Sequence, residues 1–114
     1  MWSIQTTDVF DEWFSSLHDM HRANVLGALL VLQERGPQLG RPYVDSVYNS
    51  IHSNMKELRI QSNGVPFRSF FAFDQMRNAI ILCAGDKSKN EKRFYKQMIF
   101  LEWKTIPVQF FFFF

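Results

Sequence analysis

Hydrophobic and polar positions alternate between Asn54 and Lys87 with the period of extended chain. Lys56, Leu58 and Ile60 fall on one side of the first run, and Glu57, Arg59 and Gln61 on the other. Ser62-Asn63-Gly64 then interrupts it with a pair that accepts positive φ, which predicts a hairpin turn. In the second run, Pro66 to Phe73, one face carries Phe67, Ser69, Phe71 and Phe73, and the other carries Arg68 and Phe70. Asp74 to Asn78 is polar and short enough to close a second hairpin. The third run, Asn78 to Lys87, is apolar on both faces, as a covered central strand is. The pattern predicts a three-stranded antiparallel meander. Arg59 and Arg68 are charges set into this apolar sheet. Long basic side chains at strand ends can reach water, so the pattern alone leaves both a solvated and a functional role open.

Ahead of the meander the period changes. Trp2 to Thr6 alternates briefly and predicts a short strand. Thr7 or Asp8 suits a helix cap, and Asp8, Asp11 and Glu12 place negative charge in the first turn. Phe10, Trp13, Phe14 and Leu17 recur at helical spacing. A second stripe, Val25, Leu26, Leu29, Leu30 and Leu32, ends at Gly36-Pro37. Two helices, or one bent helix, are predicted to form a hairpin against the sheet. From Pro37 to Val47, two prolines and two nearby glycines predict a loop without regular structure, with Tyr43, Val44 and Val47 tucked beneath it. His18 and His21 have no third ligand and read as plain surface histidines. Beyond Gly85, Phe94, Tyr95, Met98 and Leu101 predict an amphipathic helix beginning near Ser88 or Asn90.

The 114 residues, 46% hydrophobic and 17% aromatic, suffice for one domain with a real core. A single cysteine excludes an internal disulfide framework and gives no metal signature. No signal peptide is visible at Met1-Trp2-Ser3-Ile4-Gln5 and no run has the length of a membrane span, so a cytoplasmic location is expected. Charge is divided unevenly. Up to Met55 there are three basic and six acidic residues, and from Lys56 onward ten basic and five acidic. Lys87, Lys89, Lys92, Arg93 and Lys96 crowd one segment beside Tyr95. Such a basic half suits a polyanion, although a solvated helix face has the same composition. His52 has the right chemistry for a general acid or base, and equally for an ordinary loop histidine. Residues 105–114 end in five phenylalanines, an uncharged run prone to aggregation; deletion of Val108 to Phe114 is expected to improve solubility and leave the fold intact.

Several short motifs occur in a telling order: Leu39-Gly40-Arg41-Pro42, Asn54-Met55-Lys56-Glu57-Leu58-Arg59, Pro66-Phe67-Arg68, Phe71-Ala72-Phe73-Asp74, Gly85-Asp86-Lys87 and Arg93-Phe94-Tyr95. In that order the chain resembles the phage-derived, HigB-like branch of the RelE/ParE toxin superfamily. The resemblance covers about Trp2 to Ile99 and departs from it at the phenylalanine tail. It implies an α+β fold over residues 1–104, with an N-terminal strand and helical hairpin packed on a twisted antiparallel sheet and a short C-terminal helix.

The same resemblance implies the toxin of a type II toxin–antitoxin pair that cuts mRNA on the ribosome without a metal or other cofactor. A helix-turn-helix antitoxin of the HigA kind is the implied partner. A gyrase-poisoning toxin on the same fold and a decayed toxin are the alternatives. The residues are compatible with RNA cleavage. Attack by a 2′-hydroxyl on the adjacent phosphate needs cations and a proton carrier. Arg59, Arg68, Lys87, Tyr95 and His52 are the catalytic candidates, and Lys56, Lys89, Lys92, Arg93 and Lys96 the RNA-binding ones.

Overall fold

A computed structural model describes residues 1–47, 54–88 and 90–105. The elements run β1 (Ser3–Thr6), α1 (Asp8–Ser15), α2 (Asp19–Arg35), β2 (Val44–Ser46), β3 (Lys56–Ser62), β4 (Val65–Phe73), β5 (Asn78–Asp86) and α3 (Glu91–Thr105), with one 3-10 turn at Gly36–Gln38. The strands make a single sheet in the order β1-β5-β4-β3-β2. His52, Lys89 and the phenylalanine tail, each singled out from the sequence, lie outside the described residues.

The meander forms as its alternation requires. Asn63 (φ 48°) and Gly64 (φ 82°) take the two left-handed positions of the β3–β4 turn, the geometry that matches strand twist. Asp74 organises the next turn, accepting from the Met76 and Asn78 amides at 2.8 and 2.9 Å. β5 lies inside the sheet, between β1 and β4, with helices on both faces, which explains its two apolar sides. One feature departs from the expected sheet. β1 joins β5 in parallel, so the sheet is mixed rather than wholly antiparallel. A bulge on β5 was also illegible: Phe70 pairs with Cys83 but Phe71 with Ile81, leaving Leu82 extra. The Thr7 hydroxyl, at the N-cap of α1, donates to the freed Leu82 carbonyl at 2.6 Å.

Expectation and structure also part at the Pro37–Val47 segment. It contains a short edge strand, β2, antiparallel to β3. Both prolines precede Val44, so they remove no amide that the strand needs. The Arg59 amide donates to the Tyr43 carbonyl at 2.7 Å, and the Val47 amide to Met55 at 3.0 Å. Val44 and Val47 are buried as expected, but Tyr43 is 58% exposed.

α1 and α2 cover one face of the sheet. Phe10, Val25, Leu29 and Leu32 pack there on Leu58, Ile60, Phe67, Phe71 and Ile81. Leu26 and Leu30 face outward instead, because the α2 stripe is wider than the one side a helix can bury. His21 is no plain surface residue: Nδ1 lies 2.6 Å from the buried Ser62 hydroxyl and the ring meets Phe67 edge-on. α3 covers the opposite face, where Phe94 and Met98 pack on Phe70, Leu82 and Cys83. Gly85 lets it approach, since a Cβ there would stand 2.9 Å from the Phe94 ring.

Candidate functional site

β3 and β4 place Arg59 directly opposite Arg68, and β5 places Gly85 beside Arg68. Like charges facing each other across two strands are destabilising unless an anion intervenes. The anion is Glu57, two residues from Arg59 and on the same face. Its side chain is only 5% exposed, and its carboxylate lies 3.7 Å from Arg59 and 3.8 Å from Arg68. From α3, the Tyr95 hydroxyl reaches down to both carboxylate oxygens, at 2.9 and 2.7 Å. Burial, then the hydrogen bond and charge of Glu57, push the Tyr95 phenol well above its ordinary range. Tyr95 therefore stays protonated and acts as a donor, not as a phenolate base.

Arg68 is buried, with its guanidinium also donating to the Phe67 carbonyl at 2.9 Å. Among the described residues, the buried Nε atoms of Arg59 and Arg68 have no hydrogen-bond partner. A native fold rarely leaves two such donors unmet, so their demand for an acceptor needs an explanation.

Asp45 on β2 closes the network from the sheet edge. Its Oδ2 meets Arg41 Nε at 3.1 Å and Arg59 at 3.2 Å. The Ser46 amide, followed by Arg41, holds this carboxyl below the usual carboxylate range. A cleft of about 440 Å³ opens between α3 and the β2–β3 edge. Asp45, Ser46, Val47, Glu57, Arg59, Glu91, Lys92, Tyr95, Lys96 and Ile99 line it. It combines ammonium groups from one helix, a guanidinium and a carboxylate from one strand, and an apolar wall.

The structure thus gathers Arg59, Tyr95, Lys92 and Lys96 around one cleft. Arg68 sits behind it, joined through Glu57. Lys87 follows β5, its amide bonded to the Pro66 carbonyl and its ammonium 3.5 Å from Glu91; neither Arg68 nor Lys87 lines the cleft. Lys56 shares the face of Leu58 and Ile60 by its alternation on β3 and does not line the cleft. Arg93 is exposed near the start of α3, outside the cleft lining, with its amide bonded to the Asn90 side chain at 3.0 Å. Sequence reasoning missed Glu57 and Asp45. The signal for Glu57 was present in its alternation with Arg59, an acid on the face that also bears the sheet's charges. Among the described residues, no group of three or more His, Cys, Asp or Glu side chains is placed to hold a metal ion.

Residues 12–101 match the family described as Phage derived protein Gp49-like (DUF891). A Mycobacterium tuberculosis protein named "Putative toxin HigB3" is 47% identical over 89 residues, covering 78% of this chain and 76% of that protein. A second from the same organism, "Putative toxin HigB2", is 43% identical over 97 residues, and there the match covers 82% of this chain and 48% of the relative. The fold is shared with the isolated E. coli RelE toxin (TM-score 0.60, 10% identity, 86% of this chain and 99% of that one). It is shared as well with the RelE of the intact E. coli RelBE complex (TM-score 0.58, 8% identity, 75% and 95%). The chain belongs to the Gp49-like phage-derived family and, with it, to the HigB-type toxins of type II toxin–antitoxin systems, built on the RelE fold.

Proposed function

We propose that this toxin is an endoribonuclease that cuts mRNA held in the ribosome, with the α3–β3 cleft as its active site. The observation that carries this reading is the buried Glu57–Tyr95 pair, set between Arg59 and Arg68 and bordered by Lys92 and Lys96. In the reaction the 2′-oxygen bonds to the adjacent phosphorus and the bond to the 5′-oxygen breaks, the departing 5′-oxygen taking up a proton from solvent to leave as a hydroxyl. Glu57 is the proton acceptor for the 2′-hydroxyl, because the flanking arginines remain charged and cannot serve as bases. Arg59 offsets charge growing on the phosphoryl oxygens, which supplies an acceptor for its Nε, while Arg68, behind the cleft, holds Glu57 in place. Tyr95 orients Glu57 and offers its ring to a base, while Lys92 and Lys96 hold the strand. Lys87 stands near the same end of the sheet as a further cation. No metal takes part in this scheme.

Cleavage on the ribosome places the work in the cytoplasm. The partner is an antitoxin, as in the RelE–RelB complexes, of the helix-turn-helix HigA kind. The test is cleavage of mRNA in a purified translating-ribosome complex, with 5′ ends mapped. The parent should cut within translated codons, and Glu57→Gln should cut about a hundredfold or more slowly, the range for loss of a general base. Gyrase-linked DNA breaks without transcript cleavage would replace this reading with the gyrase-poison one. Equal cleavage by parent and Glu57→Gln would remove Glu57 from the chemistry.

A further inference from the structure

One oxygen of Asp45 receives two guanidiniums, Arg41 Nε at 3.1 Å and Arg59 at 3.2 Å. A non-bridging phosphate oxygen has the same charge and accepts the same donors. We propose that Arg41 and Arg59 form a phosphodiester subsite for single-stranded RNA at the β2 edge of the cleft, and that Asp45 occupies it until RNA displaces the carboxylate.

Three observations support this beyond the shared oxygen. The Asp45 side chain is only 16% exposed and sits in the cleft wall, whereas Arg41 is 70% exposed and opens the seat to solvent. Among the described residues, the buried Arg59 Nε has no acceptor even while the side chain holds Asp45, so the carboxylate does not satisfy it. Asp45 lies on an edge strand of three residues, whose outer side no other strand covers among the described residues. The seat and the Glu57–Tyr95 pair share Arg59, so an RNA strand with one phosphate at Arg41 and Arg59 has its neighbouring sugar beside Glu57.

The inference rests on the reading of the cleft as an RNA site. Its probe is a fluorescein-labelled 2′-O-methyl hexanucleotide, which cannot be cut, followed by anisotropy at low ionic strength. Asp45→Asn keeps the shape and removes the charge, and it should bind the probe roughly tenfold more tightly, about one charge-assisted contact. Arg41→Ala added to Asp45→Asn should return affinity toward the parent value. Unchanged or weaker binding by Asp45→Asn overturns the proposal, as does a gain that survives Arg41→Ala. If Asp45→Asn fails to fold, as judged by its melt, Arg41→Ala in the parent decides: weakened binding supports the subsite, and unchanged binding overturns it. Inorganic phosphate should displace the probe no better than chloride of equal ionic strength. Displacement at far lower concentration would assign the seat to free phosphate and overturn the RNA assignment. Failure here in a parent that cuts ribosome-bound message leaves the nuclease reading intact, whereas a parent that cuts nothing defeats that reading itself.

Discussion

Both faces of the sheet carry an apolar core, but the α3 face alone adds a buried ion network. Under α1 and α2 the contacts are aliphatic and aromatic: Phe67 meets Trp13 edge-on, Phe71 meets Phe73, and Phe71 has no exposed surface. Under α3, Phe94 and Met98 pack on Phe70, Leu82 and Cys83, but the same strands also carry Glu57, Arg59 and Arg68, which the helix meets with Tyr95. Apolar burial favours folding directly. A buried ion network contributes far less, because desolvation offsets much of the attraction. The α3 face therefore gives up stability in order to hold charges in fixed positions. That arrangement suits an active site, where donors set in advance act on charge that appears in the reaction.

Mutations on the two faces should separate stability from activity. The largest effect belongs to the apolar face. Phe71→Ala removes a fully buried ring and should cost about 3–5 kcal/mol, a large part of a typical total stability of roughly 5–15 kcal/mol. Chemical denaturation would measure it, and a loss under about 1 kcal/mol would mean that this face is not the main support of the fold.

Next come the charges of the other face. Arg68→Lys keeps the charge but loses the fork shared by Glu57 and the Phe67 carbonyl. With Lys87→Ala, it should slow ribosome-dependent cleavage by about a hundredfold or more while both proteins still melt cooperatively. Parent-like rates in both would move catalysis away from the sheet cations.

A smaller effect is set by pH. Folded Tyr95 keeps its proton above the pH at which an unfolded tyrosine, near 10.0, releases it. Its contribution to stability is fully present below that pH and is lost as pH rises toward the folded value. Melts from about pH 9 to about pH 11 should fall more steeply for the parent than for Tyr95→Phe. Equal slopes would detach the hydroxyl from Glu57.

The smallest effect lies at the β4–β5 turn. There the Arg77 guanidinium stands 5.0 Å from the Trp2 ring centre. Arg77→Ala should lower stability by about 0.5–1 kcal/mol and leave cleavage unchanged. A slowed reaction would extend the site well beyond the cleft.

Much of this architecture is local and was readable. Strand alternation, the Asn63-Gly64 turn, the Thr7 cap and the stop at Gly36-Pro37 each act within a few residues, so the sequence determined the meander and the helical hairpin. It also determined which residues on β3 share a face, and hence that Glu57 accompanies Arg59. Tertiary structure decided the rest. β2 is stabilised as a strand by hydrogen bonds to β3, not by its own composition, and β1 finds its parallel place only beside the finished β5. The bulge at Leu82 depends on pairing with β4. Glu57 becomes a shared anion because α3 lowers Tyr95 onto it and β4 sets Arg68 beside it. Charge in a sequence is a count, whereas its effect depends on distance and on the water excluded around it, and both arise only when distant segments pack together.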